Sequence, residues 1–218
     1  MKILSIASWS GGKDSCFACY MAKKNGFQIK ALFNFAQEDG THSLSHGLSS
    51  RLISKQAALT GIPLVQRMVS WGGYREEFKA MVNEYKDKQG IGSIVFGDIY
   101  LREHRDWLQG LCRELEVEAV FPLWDRDTTE LAYEIIDSGF EAIVISTQAQ
   151  ILGKEWLKMR FDRKFVSALK DHIDPCGEKG EFHTFVYNCP LFKGALDFTT
   201  GKIFKKDEHW FLEIMEAD

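Results

Sequence analysis

Six residues, Ser10-Gly11-Gly12-Lys13-Asp14-Ser15, constrain the fold more than any other stretch, because of what flanks them. Ile3 to Ala7 before them is a short apolar run, and Asp14 to Asn25 after them spaces Phe17, Tyr20, Met21 and Lys24 at helical intervals up to Gly26. Strand, glycine turn and helix are expected in that order. The alternation continues with a strand at Ile29 to Phe35, a helix at Leu48 to Thr60 closed by Gly61, and a strand at Pro63 to Val69. Helices at Tyr74 to Lys88 and Leu101 to Glu116 then alternate with strands at Ser93 to Phe96 and Glu118 to Phe121. Such alternation implies right-handed crossovers and an α/β fold, a doubly wound parallel five-stranded sheet of order 3-2-1-4-5. A helix at Thr128 to Ser138 and a strand at Glu141 to Ser146 complete a first unit, residues 1–146.

A smaller C-terminal α+β unit, residues 147–218, is expected beyond it. Trp156 to His172 reads as a helix and Cys176 to Gly180 as a polar glycine loop. Phe182 to Tyr187, Ala195 to Phe198 and Trp210 to Ile214 read as antiparallel strands, with Thr200-Gly201-Lys202 as a turn.

Charge narrows the partners: 27 basic against 31 acidic residues leave a net charge of −4 and no cationic field to gather phosphate backbones, which argues against nucleic acid. No apolar run approaches the roughly 20 residues of a spanning helix, and Ile3 to Ala7 is too short for a signal-peptide core. The odd count of five cysteines does not suit a secreted disulfide framework, so a reducing cytoplasm is expected. Cys16 and Cys19, one helical turn apart, read as packing residues.

The glycine segment suits a compact anion. Gly11 and Gly12 let the backbone approach without a Cβ, the helix start directs N–H groups to the same place, and Ser10 and Ser15 add hydroxyls. Asp14 favours the helix dipole there and is a candidate to orient Mg2+ or its waters. Lys13 and Asp14 are both expected on a surface loop, outside the core. The spacing is shorter than in the loop of ordinary phosphate-transferring NTPases. SGGKDS resembles the pyrophosphate loop of the N-type ATP pyrophosphatases, a HUP or Rossmann-like group that includes GMP synthetase and asparagine synthetase. The resemblance implies ATP cleaved between its α and β phosphates and an adenylated acceptor.

In a 3-2-1-4-5 sheet the ends of strands one and four flank the switch-point crevice, so Gly97 and Asp98 are expected beside Ser10 to Ser15. Arg102 and Arg105, on the next helix, could hold phosphate oxygens or an acidic acceptor; His104 reads as a solvated residue. Arg126, within Pro122-Leu123-Trp124-Asp125-Arg126-Asp127, leaves the same rim, and Asp127 reads as a helix cap.

The segment Cys176 to Val186 sets Glu178, Glu181, His183 and Thr184 within seven positions on a flexible loop and strand start. GEKGEFHTFVYNCPLF resembles the signature of the diphthine–ammonia ligase family, and SGGKDS, GDI and PLWDRD stand in that family's order. The resemblance implies ATP and Mg2+ as cofactors, ammonia as nitrogen donor, and a carboxylate acceptor, diphthine on elongation factor two in an archaeal or eukaryotic source. It also implies that backbone near Phe33, Asn34 and Phe35 faces adenine, that Glu178, Glu181 and Thr184 line the acceptor side, and that His42 or His46 faces the acceptor. Lys13, Asp14, Glu178 and Glu181 are the catalytic candidates; His46, Arg102, Arg105, Arg126, His183 and Thr184 are the substrate candidates. No membrane partner is expected, and a homodimer is left open. The alternatives are adenylation of a different small-molecule or RNA acceptor, and a non-catalytic nucleotide sensor.

Overall fold

The computed structural model describes residues 3–45, 47–70 and 72–217. His46 lies outside them. Five parallel strands, β1 (Leu4–Ser8), β2 (Gln28–Ala36), β3 (Leu64–Met68), β4 (Ser93–Val95) and β5 (Glu118–Val120), form a sheet of order β3-β2-β1-β4-β5. Helices cover both faces, which is why β2 reads as an almost unbroken apolar run. α1 (Lys13–Lys24) and α2 (Ser50–Thr60) share one apolar cluster through Phe17, Cys19, Leu52 and Ile53. α3 (Tyr74–Gln89) and α4 (Arg102–Glu114) share the other through Phe78, Met81, Leu108 and Leu111. Alternate residues of β1 point to the two clusters, Ile6 to the second and Ala7 to the first.

α5 (Thr128–Asp137) starts at Asp127, whose carboxylate accepts hydrogen bonds from Thr129 N and Glu130 N. The next strand, β6 (Glu141–Gln148), does not extend the parallel sheet. It pairs antiparallel with β7 (Phe182–Asn188) and β9 (His209–Glu216), and β9 pairs with β8 (Phe198–Lys206), giving a second sheet of order β7-β6-β9-β8. The boundary expected after residue 146 therefore falls inside a strand of that sheet. Phe185 and Val186 of β7 join the cluster of α1 and α2, and Phe140 meets Phe17 edge-on with centroids 5.3 Å apart.

Two expectations are corrected. The helix expected at Trp156 to His172 is reduced to a 3-10 turn, Lys154–Trp156, and a six-residue α6 (Arg163–Ala168) capped by Asp162. The intervening chain is claimed by β6 instead: Lys158 N donates to Val144 O, Val144 N to Met159 O and Phe161 N to Ala142 O, with Lys158 in the left-handed region at φ 69°. Backbone pairing to a sheet has outweighed helical spacing. The turn expected at Thr200-Gly201-Lys202 is an irregularity within β8, and the chain reverses at Asp207-Glu208, where Asp207 takes φ 53°. A short polar side chain tolerates that conformation, so glycine was not required.

Candidate active site

The phosphate loop is fixed from behind. Gly11 has φ 82°, and a Cβ on it would meet Ile53 Cδ1 at 2.6 Å, so only glycine fits. Its carbonyl accepts hydrogen bonds from Val186 N and from Gln56 Nε2, each at 3.0 Å. Gln56 also donates to Val186 O at 2.6 Å and accepts from Trp9 Nε1 at 2.7 Å. The loop's carbonyl side is so tied to α2 and β7, and Gly12 N donates to Ser10 Oγ at 3.3 Å. Ser15 Oγ donates to Gly12 O and accepts from Ser10 N, and the two hydroxyls lie 2.9 Å apart. Gly12 caps α1 and brings no side chain of its own to the helix start, where the positive end of the helix dipole favours an anion. A double-glycine turn before a helix start is chemically suited to a compact anion. Gly97 is as close as a residue can be: a Cβ there would lie 2.9 Å from Asp14 C and Ser15 N. The end of β4 thus abuts the first turn of α1, which brings Asp98 to the same rim.

Lys13 departs from the expectation of a surface loop. It is the first residue of α1, only 2% exposed. Its Nζ donates to Asp14 Oδ2 at 2.8 Å and to the Cys176 carbonyl, and lies 5.4 and 5.3 Å from the ring centroids of Phe161 and Phe182. Burial, the largest single influence, pushes this ammonium down, but the charge and hydrogen bond of Asp14 together with the Cys176 and Asp174 groups outweigh it and hold the pKa above the usual lysine value. Lys13 N donates to Thr184 Oγ1 at 3.1 Å. The phosphate loop is therefore bolted to the loop before β7 and to β7 itself.

That loop is organised by Asp174, which the sequence reading missed. Its carboxylate accepts from Tyr100 Oη at 2.6 Å, Cys176 N at 2.9 Å and Glu178 N at 3.2 Å. Glu178 Oε1 in turn accepts from Ile99 N at 2.8 Å and Tyr100 N at 3.3 Å, just after Asp98. Burial pushes the Glu178 carboxyl up to about 7, with the Ile99 hydrogen bond opposing. Gly177, at φ 67°, leaves no room for a Cβ, which would meet Phe182 O at 2.8 Å. Glu181 is buried and turned into its own loop, accepting from Lys179 N at 3.0 Å.

The other candidates are scattered around this centre. Asp98 is paired with His104, and that hydrogen bond, against burial, raises the imidazole above its usual value. Arg102 is exposed at the start of α4, and the Arg105 guanidinium stacks 4.3 Å from the Trp124 ring centroid. Arg126 is engaged by Glu134 of α5. Phe33 is a core residue, whereas Asn34 Nδ2 donates to Trp9 O at 2.9 Å and Ser43 Oγ at 2.8 Å. All three, Phe33, Asn34 and Phe35, line a small pocket of about 40 Å3 with Ser8, Ser10, Leu44 and Tyr74. His42 is exposed, and burial pushes His183 down to about 4. Cys16 and Cys19 are buried packing residues, the Cys19 thiol pushed up to about 12 by burial.

Gln56 had a readable signal: it is a polar residue on the apolar face of α2, buried with Leu52, Ile53 and Ala57. Asp174 and Tyr100 carry none, since their pairing spans 74 residues of chain.

A parallel sheet of order 3-2-1-4-5 with a double-glycine loop at its switch point defines a doubly wound α/β protein whose switch-point crevice is its candidate ligand site. The chain belongs to the diphthamide synthase family: the model of the family's N-terminal domain matches residues 1–119, and that of its C-terminal domain residues 127–218. It is 29% identical over 220 residues to the diphthine–ammonia ligase of Danio rerio, covering 88% of this chain and 84% of that one. The diphthine–ammonia ligase of Homo sapiens is 27% identical over 221 residues, covering 89% and 82%. That of Schizosaccharomyces pombe is 26% identical over 226 residues; the match takes in 93% of this chain but only 37% of the yeast protein. Among solved structures, a protein described as a predicted subunit of tRNA methyltransferase from Methanocaldococcus jannaschii aligns at 18% identity and a TM-score of 0.44, over 87% of this chain and 98% of that one.

Proposed function

We propose that the protein is an ATP-dependent carboxylate–ammonia ligase of the ATP pyrophosphatase type, acting in the cytoplasm on a diphthine-like acceptor. The observation that carries this reading is the double-glycine loop at the start of α1, set against Glu178 across the ends of β1 and β4. An acceptor carboxylate oxygen attacks the α-phosphorus of ATP, the bond to the β-phosphate oxygen breaks, and pyrophosphate departs into the loop. Ammonia then attacks the acyl carbon, giving the amide, AMP and a proton.

Each residue group has a task suited to its surroundings. The N–H groups of the phosphate loop and the α1 terminus hold the leaving pyrophosphate, a service of positioning and charge stabilisation. Lys13 adds a buried positive charge behind that anion while locking the loop in place. Asp14, hydrogen-bonded to Lys13, and Asp98, hydrogen-bonded to His104, are the carboxylates that would orient Mg2+, which would neutralise phosphate charge when bound with the nucleotide. Glu178, with a pKa near the working pH, is fitted to take a proton from ammonium as it becomes a nucleophile.

The test is to supply labelled ATP, ammonium and a diphthine-bearing acceptor and to resolve the nucleotide products. AMP and pyrophosphate in step with amide are expected; ADP and phosphate as the main products would refute the assignment.

A further inference from the structure

A second cavity, of about 470 Å3, lies over one face of the antiparallel sheet. Ser146 of β6 stands opposite His183 of β7 and Phe211 of β9, and Phe211 stands opposite Phe204 of β8. Residues in register share a face, so these four side chains form a row across the sheet, and all four line the cavity. The loop between β2 and α2 supplies the opposing wall through His42 and Leu44.

Ser146 is the unexplained member. It is fully buried, and its Oγ has no hydrogen-bond partner among the described residues. A buried hydroxyl left unpaired is costly to a fold, so its retention at a cavity wall points to a partner that comes from outside. Leu44 lines this cavity and also the small pocket at Ser8 and Ser10, so the two spaces meet at one side chain beside the phosphate loop.

The lining chemistry selects an anion on an apolar stem. Imidazoles of His42, His183 and His209 and the Lys206 ammonium face a single carboxylate side chain, Asp207. Phe204 and Phe211 present nearly parallel rings, with centroids 5.7 Å apart. We infer that this cavity seats the acceptor, its carboxylate hydrogen-bonded by Ser146 Oγ and its stem against Phe204 and Phe211. The inference rests on the ligase reading for its account of why a carboxylate must lie next to the nucleotide.

The probe is 3-phenylpropanoate, titrated by calorimetry into wild-type protein and the Ser146→Ala variant, with 3-phenylpropanamide as the uncharged control. Wild type is expected to bind the carboxylate in preference to the amide, and Ser146→Ala to bind it at least about tenfold more weakly, the effect of losing one hydrogen bond to a charged group. ATP affinity is expected to be unchanged and the variant's Tm equal or higher, because no bond within the protein is lost. A fall in Tm would make Ser146 structural; equal affinity in both proteins, or no binding to wild type at millimolar concentration, would equally overturn the inference. Failure of the ligase reading would appear in the products of ATP and leave this binding measurement untouched.

Discussion

Glu178 and Lys13 hold ionisable groups where the chain has modified their chemistry, and each gives a measurable consequence. The raised Glu178 pKa means that the folded state holds this proton more tightly than the unfolded chain does. Its stabilising contribution is therefore present at low pH and is lost as pH rises through about 7. Glu178→Gln is expected to flatten the dependence of Tm on pH between the usual glutamate range and about 7, and to remove the limb near 7 from the pH profile of single-turnover amide formation. Thermal melts and rapid-quench rates across that range check both; a variant with the wild-type profile would remove Glu178 from the proton path. For Lys13, substitution by Met retains the stem between Phe161 and Phe182 but leaves the Cys176 carbonyl and the Asp14 carboxylate without their partner. Lys13→Met is expected to lower unfolding stability by about 3 kcal/mol and to abolish turnover, read by urea denaturation beside the product assay. An unchanged midpoint would show that the lysine is as superficial as its place in a glycine loop suggested.

Among the elements, those governed by local signals were legible and those governed by distant pairing were not. Gly61 ends α2 at φ 70°, Asp127 caps α5, and the apolar spacing of α1 to α4 marks helices close to where they occur. By contrast, 158–161 has helical spacing but hydrogen-bonds to β6, and β8 runs through Gly201 to turn at Asp207. The candidate site divides the same way. SGGKDS announces an anion cradle because glycines and a helix start adjoin in sequence, whereas the clamp of Asp174, Tyr100 and Glu178 is assembled only by folding. Gln56 links these levels, since one helix residue supports the loop through three hydrogen bonds. Gln56→Leu leaves the Trp9 indole N–H and the Val186 carbonyl without that partner, and is expected to cost about 2–4 kcal/mol and to raise the KM for ATP more than it lowers kcat. Denaturation and steady-state kinetics test this, and an unaltered KM would separate Gln56 from loop geometry.

At the scale of the whole molecule the two sheets are not independent. Val186 and Thr184 of the antiparallel sheet hold the phosphate loop of the parallel one, and a single apolar cluster runs from Leu52 to Phe185. The described residues contain no helix long and apolar enough to cross a membrane. One cooperative thermal transition is expected by calorimetry, moved upward as a unit by ATP with Mg2+. Two separable transitions, only one of them responsive to nucleotide, would contradict a shared core.

The central claim is that an acceptor carboxylate oxygen becomes bonded to the α-phosphorus of ATP. Acceptor labelled with 18O in that carboxylate, turned over with ATP and ammonium, tests it through the mass of the phosphorus products. The account predicts one 18O atom in the AMP for each amide formed and none in pyrophosphate; label in inorganic phosphate, or unlabelled AMP alongside amide, would contradict it.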